Sequence, residues 1–445
     1  NIAASPFSYK HDEERIAKLT PAALAKVRQQ ANVGVMGDAF YDPAFCRAMV
    51  QAIRAGMELA TTGGRLLFKP TTLFKSLTVD IAALPVSRPS ATSSNTVVTL
   101  DETLFLKGYR RLREGLNPEL EMGRFLTDVV RYPNCVPVLG ALEYFTNDGR
   151  VMTLALVQAY VANQGDGWDY TLRYLERYLE ELRTAAGPAL SADAAHGGFL
   201  ALAATLGKRT AELHVALARR TGDPAFDPEP IAPSDIVAFR ERASSEAHAT
   251  LSLLQERLSQ LPAAAQGDAQ TLLARQDALQ SRLAAGEVSS RAGIKTRTHG
   301  DYHLGQVLVT ANDFVIIDFE GEPGRSFDER RAKSSPLRDV AGMLRSFNYA
   351  RWSALKRVAQ NADELERLAP AALEWETATR DAFLAAYVNT TALSTPALPV
   401  DAGLLGLFEL EKALYELRYE INNRTDWAQV PLRGILALID TGTAR

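Results

Sequence analysis

From its first residue onward, the chain's apolar positions change rhythm twice. Up to about residue 90, helical patterns such as "PAFCRAMVQAIRAGMELA" alternate with short apolar runs such as "RLLFKP". The stretch closes in "ALPVSRPSATSSN", whose Pro, Ser and Thr mark a connector. Between there and residue 162 the period shortens to strand length in "TVVTL", "TLFLKGY" and "VMTLALVQAY". "DE" and "NDGR" supply turns in this region, and "NPELEMGRFL" supplies one helix. After "VANQGDGW" the 3.6-residue period takes over, in "YTLRYLERYLEELRTA", "GGFLALAATLGKRTAELHVALARR" and "SDIVAFRERASSEAHATLSLLQERL". Later segments around "LRDVAGMLRSFNYARW", "EWETATRDAFLAAYV" and "GLFELEKALYELRYEINNR" continue it. The pattern predicts an α+β chain in three parts, with boundaries near 88 and 162: 1–88, 89–162 with a small sheet, and a mainly helical 163–445.

Composition narrows the function class. The 445 residues are 47% apolar and 23% charged, ordinary values for a globular chain with more than one packed unit. Lys plus Arg number 49 against 53 acidic residues, so no broad basic field exists for a nucleic acid. Two cysteines, Cys46 and Cys135, are too few for a disulfide framework and read as buried small hydrophobes in a reducing compartment. No eighteen-residue apolar run marks a membrane span, so a cytoplasmic location is expected. The first residue is Asn rather than Met, as expected of a trimmed chain or one part of a larger polypeptide.

One interruption of the helical half carries chemistry. In "THGDYHLGQVLVTANDFVIIDFEGEP" the runs "QVLV" and "FVIID" flank "TAND", the pattern of an antiparallel hairpin. Pairing brings Asp301 and Asp318 to one end. Either aspartate alone would read as a turn residue, but two carboxylates held together call for a cation between them, and hard oxygen donors select magnesium. Phosphoryl transfer needs one carboxylate to orient a hydroxyl and another to grip magnesium on nucleotide phosphates. His299-Gly-Asp301 followed by Gln306 has the order of a kinase catalytic loop, with Gln306 where Asn is usual and "DFE" following. His299 and His303 read equally as core residues or as groups that orient this loop.

A kinase also needs a strand lysine paired to a helix glutamate. Lys107 ends the apolar strand of "TLFLKGYRRL", and Glu119 and Glu121 follow. Glu121 is the expected partner, with Glu119 assigned to the helix N-terminus. No G-x-G-x-x-G precedes Lys107, so backbone amides and the polar groups of Ser93, Ser94, Asn95 and Thr96 are expected to cover the phosphates. Near the hairpin, Arg338 is expected to reach its carboxylates, Asp339 to cap a helix, and Glu320 and Glu322 to bind a second metal or close the loop. In "EKALYELRYEINNRTDW", Lys412, Glu416, Tyr419, Glu420 and Asn423 share one helix face, with Arg424 and Trp427 at its end. Spacing alone leaves that face open between an ion-paired surface and a sugar site.

"HGDYHLGQVLVT", "IIDFEGEPGRSFDERRAKSSPLRDVAGMLRSF" and "YELRYEINNRTDW" resemble bacterial maltokinases over roughly residues 38 to 440, especially the modules fused behind trehalose synthase. The resemblance implies a bilobal, protein-kinase-like fold: an N-terminal cap over 1–88, a nucleotide lobe with a small mixed sheet over 89–162, and a helical C-lobe over 163–445. It implies ATP- and magnesium-dependent phosphorylation of maltose to maltose 1-phosphate for α-glucan synthesis, with trehalose synthase as an associated partner. By motif, Asp301 is the base, Gln306 and Asp318 hold the metal, and Lys107 holds phosphate. Gln158 to Tyr160 form the adenine hinge. His303 and the face from Lys412 to Trp427 bind the sugar. The phosphate loop departs from the family's usual Gln-Ser-Asn-Thr-Ser run. A kinase acting on an amino sugar such as glucosamine, or on an aminoglycoside, is the alternative, since Glu416 and Glu420 would suit ammonium groups. A degenerate kinase fold serving as a binding module is the other.

Overall fold

The structure, a computed structural model, describes residues 3–4, 22–29, 32–89, 95–184, 192–285 and 293–440. The chain forms two compact units, one of 1–162 with 325–330 and one of 163–324 with 331–445.

In the first unit, β1 (Ala3–Ala4), β2 (Ala23–Gln29) and β3 (Asn32–Asp38) form a three-stranded sheet. Helix α1 (Pro43–Ala55) starts where the Asp42 carboxylate accepts the Ala44 N–H and stops at Gly56. Strands β4 (Glu58–Thr61) and β5 (Gly64–Pro70), helix α2 (Thr72–Ser76) and strand β6 (Val86–Ser87) follow. Then come β7 (Thr96–Leu100), β8 (Leu104–Gly108), helix α3 (Pro118–Arg124), β9 (Val138–Thr146) and β10 (Val151–Ala159). One seven-stranded sheet takes them in the order β4-β5-β9-β10-β8-β7-β6, and all its pairings are antiparallel. "DE" and "NDGR" are turns as their residues imply, with Asp101 at φ 53 and Gly149 at φ 88.

Residues on both sides of position 88 therefore share a sheet, and they share a core: Phe40, Cys46 and Ile53 pack with Phe68, Val98, Leu106 and Val157. The "ALPVSRP" stretch, read as connector, contains β6, because Val86 and Ser87 complete the backbone hydrogen bonds of an otherwise open edge. Both cysteines are buried, and burial first of all pushes each thiol up to about 12, in keeping with inert packing residues.

The second unit is helical around two short strand pairs. Helices α4 (Gly167–Thr184), α5 (Ala192–Leu217), α6 (Pro233–Arg257), α7 (Ala263–Ala274) and α8 (Gln276–Ala285) precede the hairpin, with β11 (Glu229–Pro230) and β12 (Ile294–Lys295) paired between them. The hairpin is β13 (Val307–Thr310) against β14 (Asp313–Ile316), in register Val307 to Ile316. After the short helix α9 (Phe327–Arg331), nearly all of which belongs to the first unit, come α10 (Leu337–Val358), α11 (Ala362–Ala392), α12 (Ala402–Asn423) and α13 (Gln429–Asp440). None of the described helices is long and apolar enough to cross a membrane.

Helices α5 and α11 touch backbone to backbone: a Cβ at Gly207 would lie 2.1 Å from the Phe383 carbonyl oxygen. Gly207→Ala must push the helices apart, and its stability is expected to fall by about 1–3 kcal/mol. Gly197, on the same helix, has nothing within 4 Å of such an atom, so Gly197→Ala is expected to be neutral or to stabilise by up to about 1 kcal/mol. Denaturant unfolding of the two variants checks the pair; equal midpoints would refute this account of the α5–α11 contact.

Candidate active site

In the first unit, β8 delivers Lys107 to a buried polar cluster. Its Nζ donates to Glu119 Oε2 at 2.9 Å, and the Tyr109 hydroxyl donates to the same oxygen. Gln158 Nε2 reaches Glu119 Oε1 at 3.5 Å. The partner of Lys107 is thus Glu119, correcting the expectation of Glu121. Asn117 caps the helix through the N–H groups of Glu119 and Leu120, and Pro118 sets its first turn. From that start, Glu119, Met122, Gly123 and Leu126 fall at spacings of three and four, and all four are buried. Glu121 lies off that stripe.

The expected phosphate loop falls partly outside the described residues, which include neither Ser93 nor Ser94. Asn95 precedes β7 and Thr96 opens it; the Thr96 hydroxyl accepts Arg110 Nε, whose guanidinium also pairs with Asp38. At the expected hinge, the N–H groups of Ala159 and Tyr160 donate to Pro137 and Thr103 carbonyls, at 3.0 and 2.9 Å. Those two donors are engaged within the sheet and its flanking turn, and the Gln158 side chain serves Glu119.

In the second unit the hairpin does what its pattern implies. Ile317 N–H donates to the Gln306 carbonyl at 3.0 Å, and Gln306 Nε2 meets Asp318 Oδ2 at 3.4 Å. Asp318 has φ 62, the left-handed region, a strained setting for a non-glycine residue that is common at functional positions. Buried His299 ties the two ends together: Nε2 donates to the Ile317 carbonyl at 2.8 Å, and Nδ1 accepts the Asp301 N–H at 3.4 Å. A carboxylate and an amide side by side suit a hard divalent cation once the amide turns its oxygen inward, so the donors fit magnesium.

The loop carrying Asp301 is gripped from α10. Asp339 accepts the His299 N–H at 2.7 Å and the Gly300 N–H at 2.9 Å, and meets His214 Nε2 at 3.2 Å. His214 Nδ1 in turn meets the Tyr387 hydroxyl at 2.8 Å. Asp339 is 2% exposed, and burial alone would raise its pKa; the His214 hydrogen bond and charge, with the charge of His299 and the Gly300 N–H, leave it below the usual aspartate value. It was expected to cap a helix; it clamps the loop that carries Asp301 instead. The only sequence signal for this was an acid in the first turn of a helix.

Lys412 Nζ lies 3.3 Å from Asp301 Oδ1 and 3.3 Å from Glu322 Oε1. Burial would raise the pKa of Asp301, but Lys412, His303 and His299 hold it below its ordinary value. His303 caps the turn before β13 by accepting the Gly305 N–H at 3.1 Å, and burial lowers its pKa. Arg338 does not reach the hairpin carboxylates: its guanidinium bonds Glu411 at 2.6 Å and lies over Phe408, because the first turn of α10 points it at α12.

The α12 face is one stripe, as its spacing implies, yet much of it is already paired. Glu416 takes Arg345 at 2.8 and 2.9 Å, and Glu420, 1% exposed, takes Arg424 at 2.6 Å and the Tyr349 hydroxyl. Asn423 Nδ2 donates to its own helix at the Tyr419 carbonyl. Tyr419 is exposed, and Trp427 carries Lys356 at 4.7 Å from its ring. Arg345 was missed as a partner because it lies 71 residues away on another helix.

No family model matches the chain. It is similar to a glucosamine kinase of Streptacidiphilus jiangxiensis, 29% identical over 282 residues, which cover 62% of this chain and 56% of that protein. A glucosamine kinase of Mycolicibacterium smegmatis (strain ATCC 700084 / mc(2)155) is 28% identical over 307 residues, covering 68% and 67%. The chain thus matches little more than half the length of the first relative. A solved structure of glucosamine kinase in complex with glucosamine, ADP and inorganic phosphate superposes with TM-score 0.67 at 23% identity, covering 93% of this chain and 86% of that one. A second crystal form of glucosamine kinase gives TM-score 0.67 at 23% identity, covering 98% and 91%. The chain has the bilobal, kinase-like α+β fold.

Asp339→Asn removes the charge that two loop N–H groups and His214 face, and it is expected to cost about 1.5–3 kcal/mol of stability at neutral pH. Because the folded pKa lies below the unfolded value near 3.9, this contribution is complete above that value and disappears as pH falls through the folded one. The stabilities of wild type and variant should therefore begin to converge as pH falls below about 4. A constant gap down to acid pH would contradict the clamp.

Proposed function

We propose that the chain is an ATP- and magnesium-dependent kinase that phosphorylates a hydroxyl of glucosamine or a closely related amino sugar. The observation that carries the reading is the hairpin end, where Asp301 sits on a loop clamped by Asp339 and His299 while Gln306 and Asp318 adjoin. The glucosamine kinase relatives favour an amino sugar over maltose, and Glu416 and Glu420 supply acidic groups of the kind an ammonium needs.

In this reading Asp301 accepts the proton of the attacking hydroxyl, and its position follows from backbone bonds on the two residues that precede it. Gln306 and Asp318 hold magnesium, which when bound neutralises and orients the phosphates. Lys107, fixed by Glu119, holds the nucleotide phosphates; Thr96, Gln158 and Ala159 lie on the two strands paired with β8, and Asn95 and Tyr160 stand just beyond the ends of those strands. Tyr419, Asn423, Arg424 and Trp427, with Glu416 and Glu420, form the sugar-facing set. Maltose remains the competing acceptor, favoured by the resemblance in "YELRYEINNRTDW".

An acceptor screen of glucosamine, maltose, glucose and kanamycin with ATP and magnesium, read as ADP release, decides between them. Glucosamine should give the highest kcat/KM; a higher value for maltose would replace this reading with that of a maltokinase. Asp301→Asn should lower kcat by about 10²–10⁴-fold while nucleotide binding persists. Asp318→Ala should abolish the magnesium dependence of nucleotide affinity.

The two glutamates of α3 separate by the same assay. Glu119→Gln should weaken kcat/KM for ATP more than about tenfold, a loss near 1.4 kcal/mol, and Glu121→Gln should leave it within about twofold. The reverse order would restore Glu121 as the partner of Lys107.

A further inference from the structure

Three ionisable side chains of the second unit meet beside the base. Lys412 Nζ stands 3.3 Å from Asp301 Oδ1 and 3.3 Å from Glu322 Oε1, with the Tyr415 ring 4.9 Å away. An ammonium has three N–H donors, and two are taken by these carboxylates. Among the described residues Lys412 Nζ has no third hydrogen-bond partner, and the side chain is 25% exposed. On Asp301 only Oδ1 is occupied; Oδ2 has no hydrogen-bond partner among the described residues. A lysine free to settle on Asp301 alone would straddle both oxygens, and Glu322, 7% exposed, holds it to one side.

We propose that Lys412 is a catalytic residue rather than part of the sugar-binding face, and that Glu322 is its positioning residue, dividing the ammonium so that Asp301 Oδ2 stays open to the acceptor hydroxyl. The inference rests on the kinase reading above and deepens it. In the transfer, the hydroxyl proton passes to Asp301 Oδ2 and the hydroxyl oxygen forms its bond to the terminal phosphorus. The bond from that phosphorus to its bridging oxygen breaks, and its electron pair leaves with the nucleoside diphosphate. The third N–H of Lys412 donates to a non-bridging oxygen of the moving group, where negative charge is concentrated. Residues 298–306 contain no lysine, and the cation beside Asp301 comes from α12.

The groups that face Asp301 are Lys412, His303 and His299, and those that face Lys412 are Asp301, Glu322, Glu416 and Tyr415. Two substitutions therefore push Asp301 in opposite directions. Lys412→Met removes its cation and should raise the Asp301 titration by about one pH unit or more. Glu322→Gln removes the competing anion, lets the ammonium settle on Asp301, and should lower it.

The test is a ¹³C titration of carboxyl-labelled aspartates in the substrate-free protein, with Asp301 assigned by the signal missing from Asp301→Asn, alongside pH profiles of kcat. Lys412→Met should lose about 10²-fold in kcat with the sugar KM changed less than about threefold, and Lys412→Arg should recover most of the loss. Glu322→Gln should lose about tenfold in kcat. Opposite shifts of the Asp301 titration support the proposal. Shifts of one sign, or Lys412→Met raising only the sugar KM with the titration unmoved, overturn it. Circular dichroism of Lys412→Arg guards against misfolding as the cause. A wild-type chain that transfers phosphate to none of the four acceptors would sink the kinase reading instead, and the titration of the substrate-free protein would still decide the coupling of the three side chains.

Discussion

A buried carboxylate that must be satisfied organises the second unit. Asp339 is 2% exposed, and an unpaired charge in that setting would cost several kcal/mol, so it can exist only where donors converge on it. The donors are two consecutive backbone N–H groups, of His299 and Gly300, and the ring of His214. Two successive amides can point at one carboxylate only if the chain turns sharply, and Gly300 supplies that turn at φ 84. Asp301 follows directly, so its direction is set by a contact it does not itself make. His299 then carries the constraint on to the Ile317 carbonyl, one residue before Asp318. Helices α5, α10 and α11 and the hairpin are tied through one short chain of hydrogen bonds that ends at Tyr387.

The same unit keeps many other charges inside. Arg345 with Glu416, Arg380 with Glu409 and Arg338 with Glu411 are bidentate or close single contacts between helices, and each of these acids is largely buried or half-buried. Such pairs add little net stability against apolar packing, but losing one partner strands the other, so they favour one arrangement of the helices over near alternatives. That consequence bears on function. A stripe of acids on α12 looks like a ready ligand surface in sequence, yet its carboxylates are committed to arginines: Glu411 and Glu416 to Arg338 and Arg345 of α10, Glu409 to Arg380 of α11, and Glu420 to Arg424 at the helix's own end.

What the sequence disclosed follows from the range of the interactions involved. Period-two and period-3.6 patterns, turn residues and caps are local, and the hairpin, the "NDGR" turn and the helix capped by Asn117 were legible for that reason. The Lys107 site was legible as a strand lysine, while its partner was misassigned because apolar neighbours were weighed one at a time; the stripe through Met122 and Leu126 includes Glu119 and leaves Glu121 out. The boundary near 88 was drawn from Pro, Ser and Thr content, which cannot reveal that β6 completes a sheet whose other strands lie on both sides of it. Asp339 and Lys412 make their decisive contacts 39 to 125 residues away, and no spacing rule reaches that far.

Whether an acid on α12 can serve a ligand depends on how easily its resident cation leaves. Arg345 is 3% exposed and bonds Glu416 through two nitrogens, so displacing it would strand a guanidinium in the interior. Arg424 is different: its side chain is 54% exposed, so it can swing into water without being stranded itself, and buried Glu420 then keeps the Tyr349 hydrogen bond but needs a new cation in its place. An incoming ammonium would take over a charge interaction already present rather than create one, with exposed Tyr419 alongside to shelter it. A neutral disaccharide gains nothing from such an exchange and would leave the acid to its arginine. In the proposed amino-sugar reading, the exposure of one arginine, more than the number of acids on the helix, is what suits this face to a charged ligand.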